Sequence, residues 1–208
     1  MPPNDGPECV IIAGPNGGGK SSLFAKVQFH GRFINADDIA RGLDPARPER
    51  ASVAAGRIAI RTLDEAMVSR ADFTYETTLS SRQSLNVMQR ARRLGYRVLL
   101  IFIALDAVEL HIKRVRQRVL SGGHDIPEAV IRRRYDLSFR NFGTALPLSH
   151  AAAVFDNSGP QGPQLRLEIE GETIVTSLLS AARTFDRRIA EAVANTFKLD
   201  VGDILPKS

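Results

Sequence analysis

Apolar and polar positions alternate along this chain in blocks, and the blocks switch repeatedly between extended and helical spacing. CVIIA at 9–13 is a short continuous apolar run, the pattern of a buried strand, and GKSSLFAKV follows it with helical character. RFIN at 32–35 is a second short extended run. Residues 48–71 predict a helix with Ile60, Leu63 and Met67 on its apolar face. DFTYET at 72–77 is rich in β-branched and aromatic residues and predicts a strand. Residues 81–94 carry Leu85, Met88, Ala91 and Leu94 at three-residue spacing, with Gly95 placed to close the helix. YRVLLIFIAL at 96–105 predicts a long buried strand. Residues 106–120 predict a helix with Val108, Ile112, Val115 and Val119 on its core face. SGGHDIP at 121–127 is a break, and Pro127 is placed to begin a helix running to about Phe142. AAVFDNS at 152–158 reads as another strand, and QLRLEIEGETI at 164–174 as a small hairpin around Gly171. A terminal helix is expected over 175–196.

Strands separated by helices imply parallel strands joined by right-handed crossovers. The expected fold class is therefore α/β: a mostly parallel sheet with helices on both faces and a small C-terminal hairpin. One domain over 1–208 is expected, with 106–142 as a lid region and 160–208 as the C-terminal hairpin and helix. Open sheets of this kind bind ligands at the carboxyl ends of their strands. The groups that follow the strands here are Gly14–Ser21, Asp37, Glu76 and Asn157.

Composition narrows the picture only a little. A chain of 208 residues with 43% apolar and 25% charged residues is ordinary globular material. No apolar run is long enough to span a bilayer, and MPPNDGPE lacks the pattern of a secretory signal, so a cytoplasmic location is expected. The single cysteine, Cys9, agrees with that and reads as a small core residue. The formal charge of +5 admits nucleic acid, anionic small substrates or an acidic partner protein. With no tryptophan and only 6% aromatics, stacking platforms for single-stranded nucleic acid are disfavoured.

The strongest chemical signal is GPNGGGKS at 14–21. Gly14, Gly19, Lys20 and Ser21 match the G-x-x-x-x-G-K-[ST] spacing, with a strand before and a helix after. Glycines let successive N–H groups turn inward on phosphate oxygens, and the helix N-terminus adds partial positive charge. Gly14, Pro15, Asn16, Gly17, Gly18, Gly19, Lys20, Ser21 and Ser22 are therefore expected to hold a nucleoside triphosphate, ATP. Lys20 would reach the β and γ phosphates, and the Ser21 hydroxyl would take one Mg²⁺ position.

Transfer of that phosphate needs an acceptor site. Asp37 directly follows RFIN and is the candidate base, with helix capping as its alternative role; Asp38 would point elsewhere once a helix has begun. Glu76 ends a buried strand, where a carboxylate is costly unless paired with a ligand or cation. It would accept from substrate hydroxyls or from Mg²⁺-bound water, or serve as a structural ion pair. Thr77, Thr78 and Arg82 stand at the same mouth, Arg82 suiting an anionic group on the acceptor or simple solvation. Arg114 and Arg118 share a helix face, and Arg132, Arg133 and Arg134 follow the Gly-Gly break, as a closing lid over phosphate requires. His124 lies in that break, as a phosphate contact or a turn residue; His30, His111 and His150 show no metal-ligand spacing. Asn157 stands where such kinases hold adenine, or makes an Asx-turn.

The series IIAGPNGGGKSS, INADDIA, FTYETTLSS, GGHDIPEAVIRRRYDLSFRN and VFDNSG, in this order and spacing over roughly residues 9 to 160, resembles the zeta toxin family of kinases. The resemblance implies a three-layer P-loop kinase fold and ATP-dependent phosphorylation of a sugar hydroxyl of UDP-N-acetylglucosamine, with a small antitoxin protein that blocks the site. It places the family's base on Asp37, its substrate-binding glutamate on Glu76, its phosphate lysine on Lys20 and its Mg²⁺ hydroxyl on Ser21. The lid arginines do not align as cleanly, and among several Arg118 and Arg134 are the ones chosen for the transferred phosphate. The alternatives are a kinase of another metabolite or of an antibiotic hydroxyl, a nucleic-acid kinase, and a nucleotide-dependent binding protein without transfer.

Overall fold

The computed structural model describes residues 6–24, 31–123 and 125–205. Its frame is a seven-stranded sheet in the order β2-β3-β1-β4-β5-β6-β7. β1 (Glu8–Ala13) is the middle of the five parallel strands and is flanked by β3 (Phe73–Thr77) and β4 (Arg97–Ala104). β2 (Arg32–Asn35) and β5 (Ala151–Asp156) extend the parallel part outward. β6 (Gln164–Glu170) and β7 (Thr173–Ser177) then add antiparallel. The mostly parallel α/β sheet with a C-terminal hairpin is thus as expected, and the hairpin continues the same sheet.

The helices are α1 (Lys20–Phe24), α2 (Ala36–Leu43), α3 (Ser52–Val68), α4 (Arg82–Arg93), α5 (Val108–Leu120), α6 (Glu128–Ala145), α7 (Thr184–Phe197) and α8 (Val201–Ile204). One apolar cluster joins Cys9, Ile11, Val98, Leu100, Phe102 and Val154 on one sheet face to Leu63, Met88, Phe142 and Ile189 from α3, α4, α6 and α7. α1 meets the other face: Phe24 stacks on Phe33, with ring centroids 3.8 Å apart. A separate cluster of Ile112, Val115, Ile126 and Ile131 packs α5 against the start of α6. Among the described residues no helix is long and apolar enough to cross a membrane.

Three expectations change. Ile60 is 41% exposed, and α3 buries Ala55, Ala59, Thr62, Leu63, Ala66 and Met67 instead, so small residues mark its inner face. Leu94 is likewise exposed just past α4, although Gly95 follows it at positive φ as a helix terminator should. The terminal helix starts at Thr184, not near 175. Thr173–Ser177 (TIVTS) is β-branched and pairs with β6. The start of α7 is fixed by remote groups: the Asp106 carboxylate accepts from the Phe185 N–H at 2.8 Å. The second half of the GKSSLFAKV helix, from residue 25, lies outside the described residues.

α7 is tied to the sheet by a buried ion pair. Asp186 is fully buried and accepts from Arg166 Nη2 at 2.6 Å, Arg166 Nε at 3.2 Å and the Ser180 N–H at 2.9 Å. Removing one partner strands the other charge in a poorly solvated place. Asp186→Ala is expected to cost about 3 kcal/mol in urea unfolding; a loss below about 0.5 kcal/mol, the level of ordinary surface substitutions, would contradict this account of the C-terminal unit.

Candidate active site

Strand register builds the site. Ile12 and Ala13 of β1 pair with Glu76 and Thr77 of β3, and Asn35 of β2 pairs with Glu76 from the other side. The carboxyl ends of β1, β2 and β3 therefore open at one level. A cavity of about 210 Å³ lies there, lined by Asn16, Lys20, Asn35, Ala36, Asp37, Tyr75, Glu76, Thr77, Thr78, Ser81 and Arg134. The expected base, phosphate lysine, acceptor glutamate and one lid arginine thus share one cavity.

The loop after β1 closes tightly on its surroundings. Gly14 has φ +142°, and a Cβ there would lie 1.9 Å from the Ile103 carbonyl oxygen. A Cβ on Gly19 would lie 2.1 Å from Asn157 Nδ2. Only glycine fits either position. Lys20 is 7% exposed, and its ammonium donates to the Gly14 and Pro15 carbonyls at 2.8 and 3.2 Å. Burial lowers its pKa, and the nearby charges of Arg118 and Arg134 add to that, while Glu76 and Asp37 oppose it. Glu76 is shifted upward, first by burial and then by Asp37 and Asp38, against the pull of Lys20 and the Ser21 hydrogen bond.

Ser21 Oγ donates to Glu76 Oε2 at 3.1 Å. This sets a hydroxyl beside a carboxylate, a hard-oxygen pair of the kind Mg²⁺ accepts. Ser22 is exposed one residue on. Asp37 and Asp38 both stand in the first turn of α2, but Asn35 is the cap, its side chain accepting from the Asp37 N–H at 2.8 Å. That leaves the Asp37 carboxylate on the cavity wall, whereas Asp38 pairs with Arg41. Thr77 bonds Ser84 at 2.6 Å, and Thr78 bonds Ser80 at 2.7 Å. Arg82 is exposed in the first turn of α4 and does not line the cavity.

The arginines divide. Arg134 Nη1 donates to Asn16 Oδ1 at 3.1 Å, at the cavity wall. Arg118 is exposed on α5, yet close enough for its charge to act on Lys20. Arg114 Nη2 donates to the Asn157 carbonyl at 2.7 Å. Arg132 instead ties α6 to α5, pairing with Glu109 at 2.9 Å while also pairing with Glu128 of its own helix at 2.8 Å. Asn157 is buried, and its amide donates to the Gly18 carbonyl at 2.9 Å, strapping β5 to the phosphate loop. The turn bond after β5 is made by Asp156, which accepts from the Ser158 N–H at 3.0 Å. His124 lies outside the described residues.

Sequence reasoning passed over His111. It is fully buried, and both ring nitrogens are engaged. Nε2 accepts from the Leu105 N–H at 3.0 Å, so the proton sits on Nδ1 and is donated to the Asn16 carbonyl at 2.7 Å. Burial, with Lys20 and Arg114 nearby, lowers its pKa to about 4. No spacing rule announces such a residue, because its loop partner lies 95 positions earlier.

The zeta toxin family model matches residues 1–158. A curated protein of Haemophilus influenzae, described as uncharacterized, is 35% identical over 129 residues, 62% of this chain and 92% of its own length. Among solved structures, the native AvrRxo1-ORF1:-ORF2 complex aligns with a TM-score of 0.62 at 16% identity, covering 95% of this chain and 66% of that one. The same complex with ATP aligns at 0.62, covering 98% and 78%. The structure from the PezAT chromosomal toxin–antitoxin system of Streptococcus pneumoniae aligns at 0.58 and 14% identity, covering 94% and 89%. These likenesses bear on fold and agree with the P-loop kinase architecture.

A histidine held neutral in the fold is a liability in acid. His111 has a folded pKa of about 4 against an ordinary 6.5, so the unfolded chain binds the extra proton between those values. Its share of stability is complete above about pH 6.5 and is lost as pH falls towards 4. Over that window wild type should lose roughly 3 kcal/mol more than His111→Asn; parallel pH–stability curves for the two would refute the neutral assignment. With this loop and sheet, and a family match spanning most of its length, the chain belongs to the zeta toxin family.

Proposed function

We propose that the chain is an ATP-dependent kinase that transfers the γ-phosphate to a hydroxyl of a UDP-sugar such as UDP-N-acetylglucosamine. The observation that carries this reading is the convergence of Lys20, Glu76, Asp37 and Arg134 on one cavity at the end of β1. A protein that only senses a nucleotide needs no acceptor site, so a second carboxylate beside the phosphate loop speaks against that reading.

In this reading Lys20 and the loop N–H groups hold the β and γ phosphates of ATP. Asp37 accepts the proton of the acceptor hydroxyl. The hydroxyl oxygen bonds to the γ-phosphorus while the bond from that phosphorus to the β-γ bridging oxygen breaks, leaving ADP. Arg134 and Arg118 offset the charge that develops on the transferred group. Glu76 orients the acceptor, and with Ser21 it forms the oxygen set that would hold Mg²⁺. That ion supplies neutralising charge to the phosphates when bound. Ser22 and Asn157 complete the nucleotide side, Asn157 by fixing the loop. Thr77 and Arg82 belong to the acceptor side, with Arg82 available to an anionic group that reaches beyond the cavity.

The AvrRxo1-ORF1:AvrRxo1-ORF2 neighbour solved with ATP supports the donor. That complex and the toxin–antitoxin origin of the pneumococcal neighbour support a small antitoxin protein as partner. A cytoplasmic location fits both. The cavity, at about 210 Å³, favours as second reading a smaller hydroxyl metabolite wholly enclosed there.

The test uses γ-labelled ATP with a panel of UDP-sugars and small hydroxyl metabolites. Label should move to one acceptor, and Asp37→Asn should slow that transfer about 10³-fold, as loss of a general base does. ATP affinity should stay near wild type, because Lys20 and the loop carry it. Wild-type transfer in Asp37→Asn would remove the base assignment. ATP binding with no labelled acceptor would favour a nucleotide-dependent binding protein.

A further inference from the structure

We propose that His111 is a positioning residue that latches the phosphate loop to both helices bearing the site arginines, and through Asn16 sets where Arg134 stands. The proposal rests on the kinase reading for its consequence in catalysis, but its geometry is independent of it.

Asn16 is the meeting point. It lies inside the phosphate loop, it is buried, and it has two acceptors. Its backbone carbonyl takes the Nδ1–H of His111, which belongs to α5. Its side-chain carbonyl accepts a hydrogen bond from Arg134 Nη1, which belongs to α6. One loop residue is therefore held by both helices. The imidazole is in turn fixed from behind by the Leu105 N–H at the end of β4, and from the side by the Tyr135 ring, edge-on with centroids 5.2 Å apart. Tyr135 directly follows Arg134, so the same ring that touches Arg134's chain neighbour also orients Asn16.

Gly17 and Gly18 bring the loop backbone into contact with α5 at His111. A Cβ on Gly18 would come to 3.5 Å from His111 Cε1, and one on Gly17 to 2.8 Å from the His111 carbonyl. A buried imidazole with both nitrogens used and no exposure to the cavity cannot act on a substrate. It can hold a loop carbonyl at a fixed distance, and the carbonyl it holds belongs to the residue that binds Arg134. A fixed arginine needs no reorganisation as charge develops on the transferred phosphate.

Two substitutions divide the two bonds. His111→Asn keeps a donor near the Nδ1 position and so keeps the bond to Asn16. His111→Gln places its amide near the Nε2 position, serving Leu105 and releasing Asn16. Thermal melts first establish that both variants fold. His111→Gln should then lower single-turnover phosphate transfer about 100-fold, the cost of a small misplacement in an active site. ATP affinity should change little, and His111→Asn should restore most of the rate. Adding Arg134→Ala to His111→Gln should cost no more than Arg134→Ala alone, since both act through one group. Equal rates for the two His111 variants, or a double variant slowed by the product of its singles, would overturn the latch.

Amide hydrogen exchange separates this outcome from failure of the kinase reading. In His111→Gln the segments 14–23 and 128–138 should exchange faster together, while in His111→Asn both stay protected. If wild type phosphorylates no acceptor, the kinase reading fails and exchange alone decides the latch. Faster exchange confined to 104–111 would overturn it.

Discussion

A lysine ammonium buried at the end of the central strand has to be matched by negative charge, and the rest of the site is arranged around that demand. Lys20 is held inward by the carbonyls of its own loop, where water cannot solvate it freely. Left alone it would shed its proton more readily, the direction in which burial drives it. Glu76 and Asp37 oppose that shift from the neighbouring strand ends. The same burial pushes Glu76 towards its neutral form, and Lys20 and Ser21 draw it back. Each charge is tolerable because the others are present. The parallel register of β2, β3 and β1 makes them meet, by setting Asn35, Glu76 and Ile12 side by side.

Cations are supplied from the opposite side. α5 and α6 pack on each other through a small apolar cluster and exposed ion pairs, and each sends a contact to Asn16. Exposed pairs of this kind contribute little individually. The position of Arg134 therefore depends on the buried contacts, chiefly the His111–Asn16 bond. α7 reinforces this from outside the segment matched by the family model: Arg188 lies 4.8 Å from the Tyr135 ring centroid and pairs with Asp136 at 3.0 Å.

Much of this was legible in the sequence because its cause is local. The run CVIIA followed by GPNGGGKS announces strand, loop and helix start from steric and hydrogen-bond requirements alone. Asp37 and Glu76 could be read because they follow strands that are themselves readable. What was missed has causes far away in the chain. Spacing alone puts Ile60 with Leu63 and Met67, whereas the buried face of α3 runs through Ala55, Ala59 and Ala66, small residues with no apolar signal of their own. The start of α7 is fixed by Asp106, 79 residues earlier. The bond from the Asn157 amide to Gly18, 139 positions away, likewise has no local signal. His111 has no local signal because both of its ring partners, the Leu105 N–H and the Asn16 carbonyl, are backbone groups.

The central claim is that the phosphate held by this loop is handed to a hydroxyl beside Asp37. Following ATP, Mg²⁺ and a candidate UDP-sugar with the wild-type protein by phosphorus NMR tests it most directly. The account predicts loss of the γ-phosphate signal with matching growth of a new phosphomonoester signal and of ADP. Growth of inorganic phosphate alone across a full panel of hydroxyl acceptors, or an unchanged ATP spectrum, would contradict it.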